Sequence, residues 1–234
     1  MSGRTQTASV PDSRRATLKT SVDPAPQFSP EFAASLLELM KWRRDVRHFT
    51  TAPVHPALVT RLLHTAMLAP SVGFSQPWRW VLVEDPARRN SVWDKFQAAS
   101  EMAAQEYAED RAGLYRGLKL AGLRQAPVHI AVFADLTAPT GHALGRRTMP
   151  QTALWSVVMA IHALWLAARA EGLGLGWVSI LEPAPLTGVL AVPSAWTFVA
   201  YLCLGWPSAE TETPLLEQAG WEHRLSGESL ITLR

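Results

Sequence analysis

Apolar positions along the chain follow two spacings, which together predict a mixture of helices and strands. Apolar residues at helical spacing predict one helix over residues 31–44 and a second over residues 57–68. Asp85-Pro86 predicts the start of a partly polar helical stretch that runs to about residue 123. Short apolar runs predict strands over residues 80–84, 128–134, 177–181 and 197–204. Because helices separate these strands without regular strand–helix–strand spacing, the sequence predicts an α+β fold with helices on a small sheet.

A nearly continuous apolar stretch over residues 153–168 predicts a long helix that is apolar on all sides. Such a helix lies at the centre of a globular core or in a dimer interface. The stretch is shorter than the roughly 20 residues that cross a bilayer, so we expect a soluble protein without a membrane span. Gly172, Gly174 and Gly176 follow this helix and precede a strand, which reverses the order of a dinucleotide-binding glycine motif. We interpret them as a helix C-cap and as positions where the backbone approaches a flat ligand.

Charge and cysteine content narrow the classes of function. Residues 1–28 carry four basic and two acidic side chains, so they account for the formal net charge of +2. They also lack an apolar core, which predicts a disordered leader rather than a signal peptide, followed by one domain over residues 29–234. The nearly neutral remainder argues against nucleic-acid binding. The single cysteine, Cys203, lies in an apolar run and predicts a buried thiol in a reducing, cytoplasmic compartment. The seven histidines match no metal-binding spacing, so we predict no metal site.

Residues 43–47 read Arg-Arg-Asp-Val-Arg and allow two interpretations. On a helix, Arg43 and Arg47 project from one face, where their guanidinium groups can hold a single phosphate. Alternatively, the arginines complement the C-terminal end of the first helix and Asp45 pairs with a neighbour. A carboxylate weakens a phosphate site unless it has a role of its own, so Asp45 is a candidate for chemistry.

Six sequence blocks, in this order along residues 32–224, resemble the 5,6-dimethylbenzimidazole synthase branch of the nitroreductase-like FMN family. The blocks are Arg-Arg-Asp-Val-Arg at 43–47, Ala-Pro-Ser-Val-Gly at 69–73, Leu-Lys-Leu at 118–120, Gly-Arg and Thr-Met-Pro within 145–150, Ala-Ala-Arg-Ala-Glu-Gly at 167–172 and Gly-Trp-Val-Ser-Ile at 176–180. Generic nitroreductases commonly have Asn where this chain has Phe74, and Ser where it has Asp45. Both differences disfavour a generic reductase.

The resemblance implies a nitroreductase-like fold, with a small, mostly antiparallel sheet flanked by helices and a long buried helix at a homodimer interface. It implies that reduced FMN is the substrate and reacts with dioxygen. The products are 5,6-dimethylbenzimidazole, the lower ligand of cobalamin, and erythrose 4-phosphate. A separate flavin reductase would supply the reduced FMN. Two alternatives remain: an FMN-dependent NAD(P)H nitro- or quinone reductase, and a non-catalytic flavin-binding protein.

The resemblance also assigns site residues. Asp45 and Ser179 would form the catalytic pair. The three nearby arginines are expected to lower the pKa of Asp45, unless burial acts in the opposite direction. Residues 135–149 are a candidate lid over the flavin. The expected flavin-binding residues are Arg43, Arg44, Asp45, Val46, Arg47 and Arg224 around the phosphate and ribityl chain, Ser71 in a loop, and Gly176, Trp177, Ser179 and Ile180 along the ring edge.

Overall fold

The structure is a computed structural model that describes residues 25–118 and 121–234. Most of the predicted leader (residues 1–28) and two residues of the third sequence block, Lys119 and Leu120, therefore lie outside the described residues.

A four-stranded antiparallel sheet forms the centre of the protein. Its strands are β1 (Trp78–Leu82), β2 (Val128–Asp135), β3 (Gly174–Val178) and β4 (Trp196–Gly205), arranged in the order β1-β2-β4-β3. The predicted α+β class and antiparallel sheet are confirmed. The strand predicted over residues 177–181 instead starts at Gly174, because Gly174 pairs with Gly205 at the end of β4.

Within residues 25–118 and 121–234, eight α-helices surround the sheet. They are α1 (Pro30–Trp42), α2 (Pro56–Ala66), α3 (Pro86–Gln105), α4 (Glu109–Gly117), α5 (Gly122–Gln125), α6 (Thr152–Ala170), α7 (Pro183–Val189) and α8 (Leu215–Gln218). The stretch predicted as helical to about residue 123 is divided into α3, α4 and α5. The chain leaves the helical conformation at Ala108, where ψ is 155°, and again at Leu118, where ψ is 64°.

Each face of the sheet carries its own apolar core. On one face, α2 and α6 pack against inward side chains such as Ile130, Leu175 and Leu202. On the other face, α3 and α7 cover a second cluster that includes Phe133 and Tyr201. The two cores follow from the alternation of side chains along β2 and β4.

Within one chain, helix α6 is apolar on all sides, as predicted, but buried along one side only. Its inner side includes Val157 and Ile161, which are fully buried. Trp155, Val158 and Met159 on its outer side are 49%, 41% and 42% exposed. By length and composition α6 could cross a membrane, but its inner side belongs to the globular core. We call the exposed apolar side chains of α6 the outer face of α6.

The second core contains a buried polar pair and the predicted buried thiol. His129 Nδ1 lies 2.9 Å from the hydroxyl of Tyr201, and Cys203 pairs with His129 across the strands. Burial lowers the pKa of His129 to about 4 and raises the pKa of Cys203 to about 12. The sequence-based prediction that Cys203 is buried is confirmed.

Candidate functional site

The arginine segment, residues 43–47, is extended rather than helical. Helix α1 ends at Trp42, and Arg43 has the extended dihedral angles φ −68° and ψ 120°. The N–H of Val46 donates to the carbonyl of Leu175 at 3.1 Å, and Asp45 forms a parallel bridge with the same residue. The helical spacing assumed for Arg43 and Arg47 is therefore wrong. Alternate residues of an extended chain point to one side, so these arginines still share a side, and Asp45 lies on it with them.

Two glycines of β3 make room for this segment. A Cβ atom at Gly176 would lie 2.2 Å from the Val46 carbonyl oxygen, and one at Gly174 would lie 2.7 Å from Val46 Cγ2. The close approach at these two glycines is made by Val46 of the protein's own chain. The approach of a flat ligand to them stays a prediction. Gly172 has φ +75° directly after α6, which confirms the predicted helix C-cap.

Asp45 is held between β3 and Arg47. The backbone N–H of Trp177 donates to Asp45 Oδ1 at 2.8 Å, and Arg47 Nε lies 3.6 Å from Asp45 Oδ2. The pairing of Asp45 with a neighbouring arginine was one of the sequence-based interpretations, and it is confirmed.

Burial raises the pKa of Asp45, against the expectation that the arginines lower it. The main cause is desolvation, because protein atoms surround the carboxyl group, although 37% of the side chain remains exposed. The Trp177 N–H and the charges of Arg47 and Arg43 act in the opposite direction but do not outweigh it. A carboxyl group with a raised pKa is better suited to accept and return a proton near neutral pH.

Trp165 on α6 fixes the arginine segment from the other side. Its Nε1–H donates to the Arg44 carbonyl at 2.9 Å, and the Arg43 guanidinium carbon lies 4.9 Å from the centroid of its ring. The ring also packs against Trp177 with centroids 6.4 Å apart. The sequence gives no signal for this role, because a tryptophan in an apolar helix reads as core packing.

Four arginines line one cavity of about 160 Å³. The cavity is lined by Arg43, Arg44, Asp45, Arg47, Arg224 and residues 214–216, and we call it the arginine pocket. The arginines and Arg224, which the sequence predicts to act together, are thus brought together.

Two main-chain carbonyls hold the guanidinium of Arg44 in place. Its guanidinium donates to the carbonyls of Arg43, at 2.6 Å, and of Glu212. Its buried Nε has no hydrogen-bond partner among the described residues. Burial, followed by the charges of Arg43 and Arg224, lowers its pKa. An anion in the arginine pocket would offset this crowding of positive charge, so the donor set fits a phosphate group.

A larger cavity of about 310 Å³ adjoins the arginine pocket and shares Asp45 with it. Apolar side chains, including Trp42, Leu175 and Leu215, form much of its wall. Arg169 at the end of α6 forms an ion pair with Glu210, which lies in the segment that covers the cavity. An apolar cavity beside a cationic pocket suits a ligand with both an aromatic and a phosphate part.

Ser71 lies apart from the arginine pocket within one chain. Its Oγ accepts a hydrogen bond from the N–H of Gln76 at 3.0 Å, and the next residue, Val72, donates to Ser156 Oγ at 3.1 Å. Ser156 is near the start of α6, nine residues before Trp165, which corresponds to roughly 13 Å along the helix. The predicted grouping of Ser71 with the arginines is therefore not formed within a single chain.

The candidate lid also lies at the Ser71 end of α6. Thr140 Oγ1 donates to the Ser75 carbonyl at 2.8 Å, and a Cβ atom on Gly73 would lie 2.8 Å from the carbonyl of Leu144. Residues 140–144 therefore pack on the Ser71 loop and not over the arginine pocket.

Ser179 and Ile180 follow the last residue of β3. Ser179 is exposed and lies two residues beyond Trp177, which is roughly 7 Å along an extended chain. Among the described residues, no hydrogen bond joins Ser179 to Asp45. The structure thus places the predicted catalytic pair in the same region without direct contact.

Histidine, cysteine and carboxylate side chains do not gather into a metal site. Within the part of the chain that the structure describes, no group of three or more of them is placed to hold a metal ion.

The chain is similar to known proteins in sequence and in fold. The chain is 54% identical over 199 residues to a 5,6-dimethylbenzimidazole synthase of Rhodospirillum rubrum, which covers 85% of the chain and 94% of that protein. It is 48% identical over 201 residues to a synthase of the same name from Rhodobacter capsulatus, covering 86% of the chain and 97% of that protein. A crystal structure of oxidized iodotyrosine deiodinase bound to FMN and 3-iodo-L-tyrosine superposes with a TM-score of 0.64 at 22% identity, covering 75% of this chain and 91% of that one.

The residues that form the sheet and α6 also match a family model. The model described as the nitroreductase family matches residues 40–206, which include the arginine segment and all four strands. The chain belongs to the nitroreductase family.

Proposed function

We propose that this protein fragments reduced FMN with dioxygen to give 5,6-dimethylbenzimidazole and erythrose 4-phosphate. The observation that carries the proposal is the arginine pocket with Asp45 in its wall, since a phosphate site that also contains a carboxyl group of raised pKa combines binding with proton transfer. The names of the Rhodospirillum rubrum and Rhodobacter capsulatus relatives support the same reaction.

In this proposal, the arginine pocket binds the phosphate of FMN. Arg43, Arg47 and Arg224 donate to phosphate and ribityl oxygens. Arg44 contributes its unpartnered Nε–H or the positive charge of its guanidinium group. Val46 contributes by packing into β3, which sets the height of the arginines above the strand. The flavin ring lies beside Gly176, Trp177 and Ile180, and reduced FMN supplies the electrons for the reaction with dioxygen.

Asp45 and Ser179 are the proposed catalytic pair. Asp45 takes up and returns protons near the ribityl carbons, and its Oδ1 is kept in position by the Trp177 N–H. Ser179 is exposed at the end of β3 and donates a hydrogen bond to the flavin. Because protein surrounds most of Asp45, water competes weakly for its proton.

A homodimer completes the site. Helix α6 contacts the Ser71 loop through the buried Ser156, near its start, and the arginine segment through Trp165, near its end. Antiparallel pairing of two α6 helices about a twofold axis near their middle places the Ser71 loop of a second copy beside the arginine pocket. The exposed apolar side chains of α6 and α1, including Met159 and Leu37, support this interface. The same pairing brings residues 135–149 of the second copy over the site as a lid.

The remaining parts of the proposal concern the setting of the reaction. The folded unit spans residues 29–234, the protein works in the cytoplasm, and a separate flavin reductase delivers reduced FMN. Asp45 favours flavin fragmentation over nitroarene reduction, because generic nitroreductases commonly have Ser at that position.

The test follows the fate of the flavin. The protein is mixed with FMN, a flavin-reducing system and air, and the products are separated by chromatography. Loss of FMN matched by an equal amount of 5,6-dimethylbenzimidazole is the expected result. Consumption of nicotinamide and nitroarene with intact flavin would instead identify a reductase. Tight FMN binding without turnover would identify a flavin-binding protein.

A further inference from the structure

A third cavity, of about 150 Å³, lies on the opposite face of the sheet from α6. It is lined by Pro86, Arg89, Asn90, Leu123, Arg124, Ala126 and His129, and we call it the α3 pocket. It shares no residue with the arginine pocket or with the larger cavity beside it. The α3 pocket therefore has no part in the proposed flavin site.

Arg89 is held rigidly at this cavity by uncharged groups. Its Nε donates to the Val83 carbonyl at 2.6 Å, and an Nη donates to the Pro127 carbonyl at 3.2 Å. Among the side chains that the structure describes, Arg89 forms no ion pair. The nearby carboxylate of Asp85 instead caps α3 at the N–H of Ala87. A fixed guanidinium with spare N–H groups and no counter-charge is the first component of an anion site.

Arg124 is the second cation and is also fixed. An Nη donates to Asn90 Oδ1 at 2.8 Å, and its guanidinium carbon lies 4.6 Å from the centroid of the Trp93 ring. No ion pair of Arg124 occurs among the described side chains either. While its oxygen accepts from Arg124, the amide of Asn90 keeps both of its N–H donors for a ligand.

The floor of the cavity adds no negative charge. His129 is 2% exposed and uses Nδ1 in its contact with Tyr201. Burial and the charge of Arg89 lower the pKa of His129 to about 4, so its ring is neutral at neutral pH. The α3 pocket thus contains two cations, an amide and a neutral imidazole, and no carboxylate lines it among the residues that the structure describes.

We propose that the α3 pocket binds a small oxyanion, either inorganic phosphate or the phosphate group of a small phosphomonoester. Three residues whose side chains carry N–H donors, Arg89, Asn90 and Arg124, line this cavity, and guanidinium groups match phosphate oxygens two at a time. A cavity of about 150 Å³ has room for a phosphate group with few further atoms. This site is independent of the proposed flavin reaction.

The test measures phosphate binding by titration calorimetry with FMN-saturated protein, so that flavin occupies the arginine pocket. Asn90→Asp places a carboxylate of nearly the same shape beside Arg124. Binding of inorganic phosphate is expected to weaken at least tenfold, or about 1.4 kcal/mol. Arg124→Gln is expected to act in the same direction. Arg61→Gln is the matched control, because Arg61 is exposed on another face, where it pairs with Glu171. It should bind phosphate as the unaltered protein does.

Two further measurements make the result decisive. Glycerol 3-phosphate is titrated beside inorganic phosphate, and the tighter ligand identifies the source of the oxyanion. In protein labelled with ¹⁵N-histidine, phosphate should shift the ring signal of His129 in the unaltered chain and not in Asn90→Asp. Absence of phosphate binding, or equal binding by Asn90→Asp, would overturn the proposal. The proposed flavin reaction is tested by a different measurement, the loss of FMN and the formation of its products. Either proposal can therefore be contradicted without the other.

Discussion

Asp45 Oδ1 accepts a hydrogen bond of 2.8 Å from the backbone N–H of Trp177. The donor is a main-chain group of β3, so the position of the carboxyl group depends on the strand and not on the side chain at residue 177. The same strand carries Ser179 just beyond its end. The placement of both proposed catalytic residues therefore depends on the packing of the arginine segment against β3.

Replacing either proposed catalytic residue should stop product formation and spare FMN binding. In Asp45→Asn the amide oxygen still accepts from Trp177 N–H, but the group no longer transfers a proton, so the yield of 5,6-dimethylbenzimidazole should fall by about 10²–10⁴-fold. Ser179→Ala should give the same pattern. Product is measured by chromatography and FMN affinity by fluorescence. Asp135→Asn, in a pair with Arg79 far from the site, is the control. Full yield from either variant would contradict the assignment.

Asp45→Asn should also stabilise the folded protein at neutral pH. The raised pKa of Asp45 means that folding disfavours its ionised form, with the opposing hydrogen bonds and charges already included. The stability that protonated Asp45 contributes is therefore fully present below pH 3.8, the ordinary pKa of an aspartate. It is lost as pH rises through the raised pKa of the folded protein. The denaturant midpoint of Asp45→Asn, relative to the original chain, should rise between about pH 4 and about pH 8. If the difference between the two denaturant midpoints becomes smaller as pH rises, the pKa of Asp45 is not raised.

Gly176→Ala should disrupt phosphate binding without adding or removing a polar group. The new Cβ would lie 2.2 Å from the Val46 carbonyl oxygen, a backbone atom, so the arginine segment must move away from β3. We expect a loss of about 1–3 kcal/mol of stability and at least a tenfold loss of FMN affinity. Gly188→Ala is the matched control, because a Cβ there meets no atom within 4 Å. Equal FMN affinity in the two variants would show that Val46 does not set the height of the arginines.

Trp165→Phe should weaken FMN binding through the backbone of Arg44. The variant keeps an aromatic ring beside Arg43 but loses the 2.9 Å hydrogen bond to the Arg44 carbonyl, a change of about 1 kcal/mol. FMN affinity should fall about fivefold, as measured by fluorescence titration. Trp206→Phe loses a comparable bond to the Pro53 carbonyl and lines neither cavity of the site. If both variants bind FMN equally, Trp165 is only a packing residue.

Met159→Lys should separate the proposed homodimer. Met159 is 42% exposed at the middle of the outer face of α6, where a lysine would place a charge in an apolar interface. Sedimentation should show a monomer, and product formation should be lost because the Ser71 loop of the second copy is missing from the site. Met102→Lys, at a 53% exposed position on α3, should leave the dimer intact. A dimer of unchanged stability would exclude α6 as the interface.

Much of the fold follows from periodic apolar runs. Residues 57–68 and 153–168 were predicted as helices and correspond to α2 and α6, because long runs with clear spacing leave few alternatives. Helix α7 was missed, although Pro183 is a helix-start signal, since its seven residues are too few for a periodic pattern. The start of β3 was also missed. Gly-Leu-Gly has a low strand propensity and becomes a strand only through its pairing with β4 and its contact with Val46.

The site was predictable in its members but not in its geometry. The gathering of Arg43, Arg47 and Arg224 was predicted from the family resemblance. The extended path of residues 43–47 was not, because it depends on the bridge from Asp45 to β3. The direction of the Asp45 pKa shift also required the structure, since burial and nearby charge compete and only their geometry decides between them.

The burial of Cys203 has a consequence for chemical durability. Reduced flavin in air releases hydrogen peroxide, which oxidises cysteine through its thiolate form. A thiol with a pKa of about 12 and 2% exposure is almost entirely protonated at physiological pH and hardly reachable by solutes. The protein's one cysteine should therefore stay reduced through many turnovers, so that the oxidant made beside the active site does not damage the sheet that supports it.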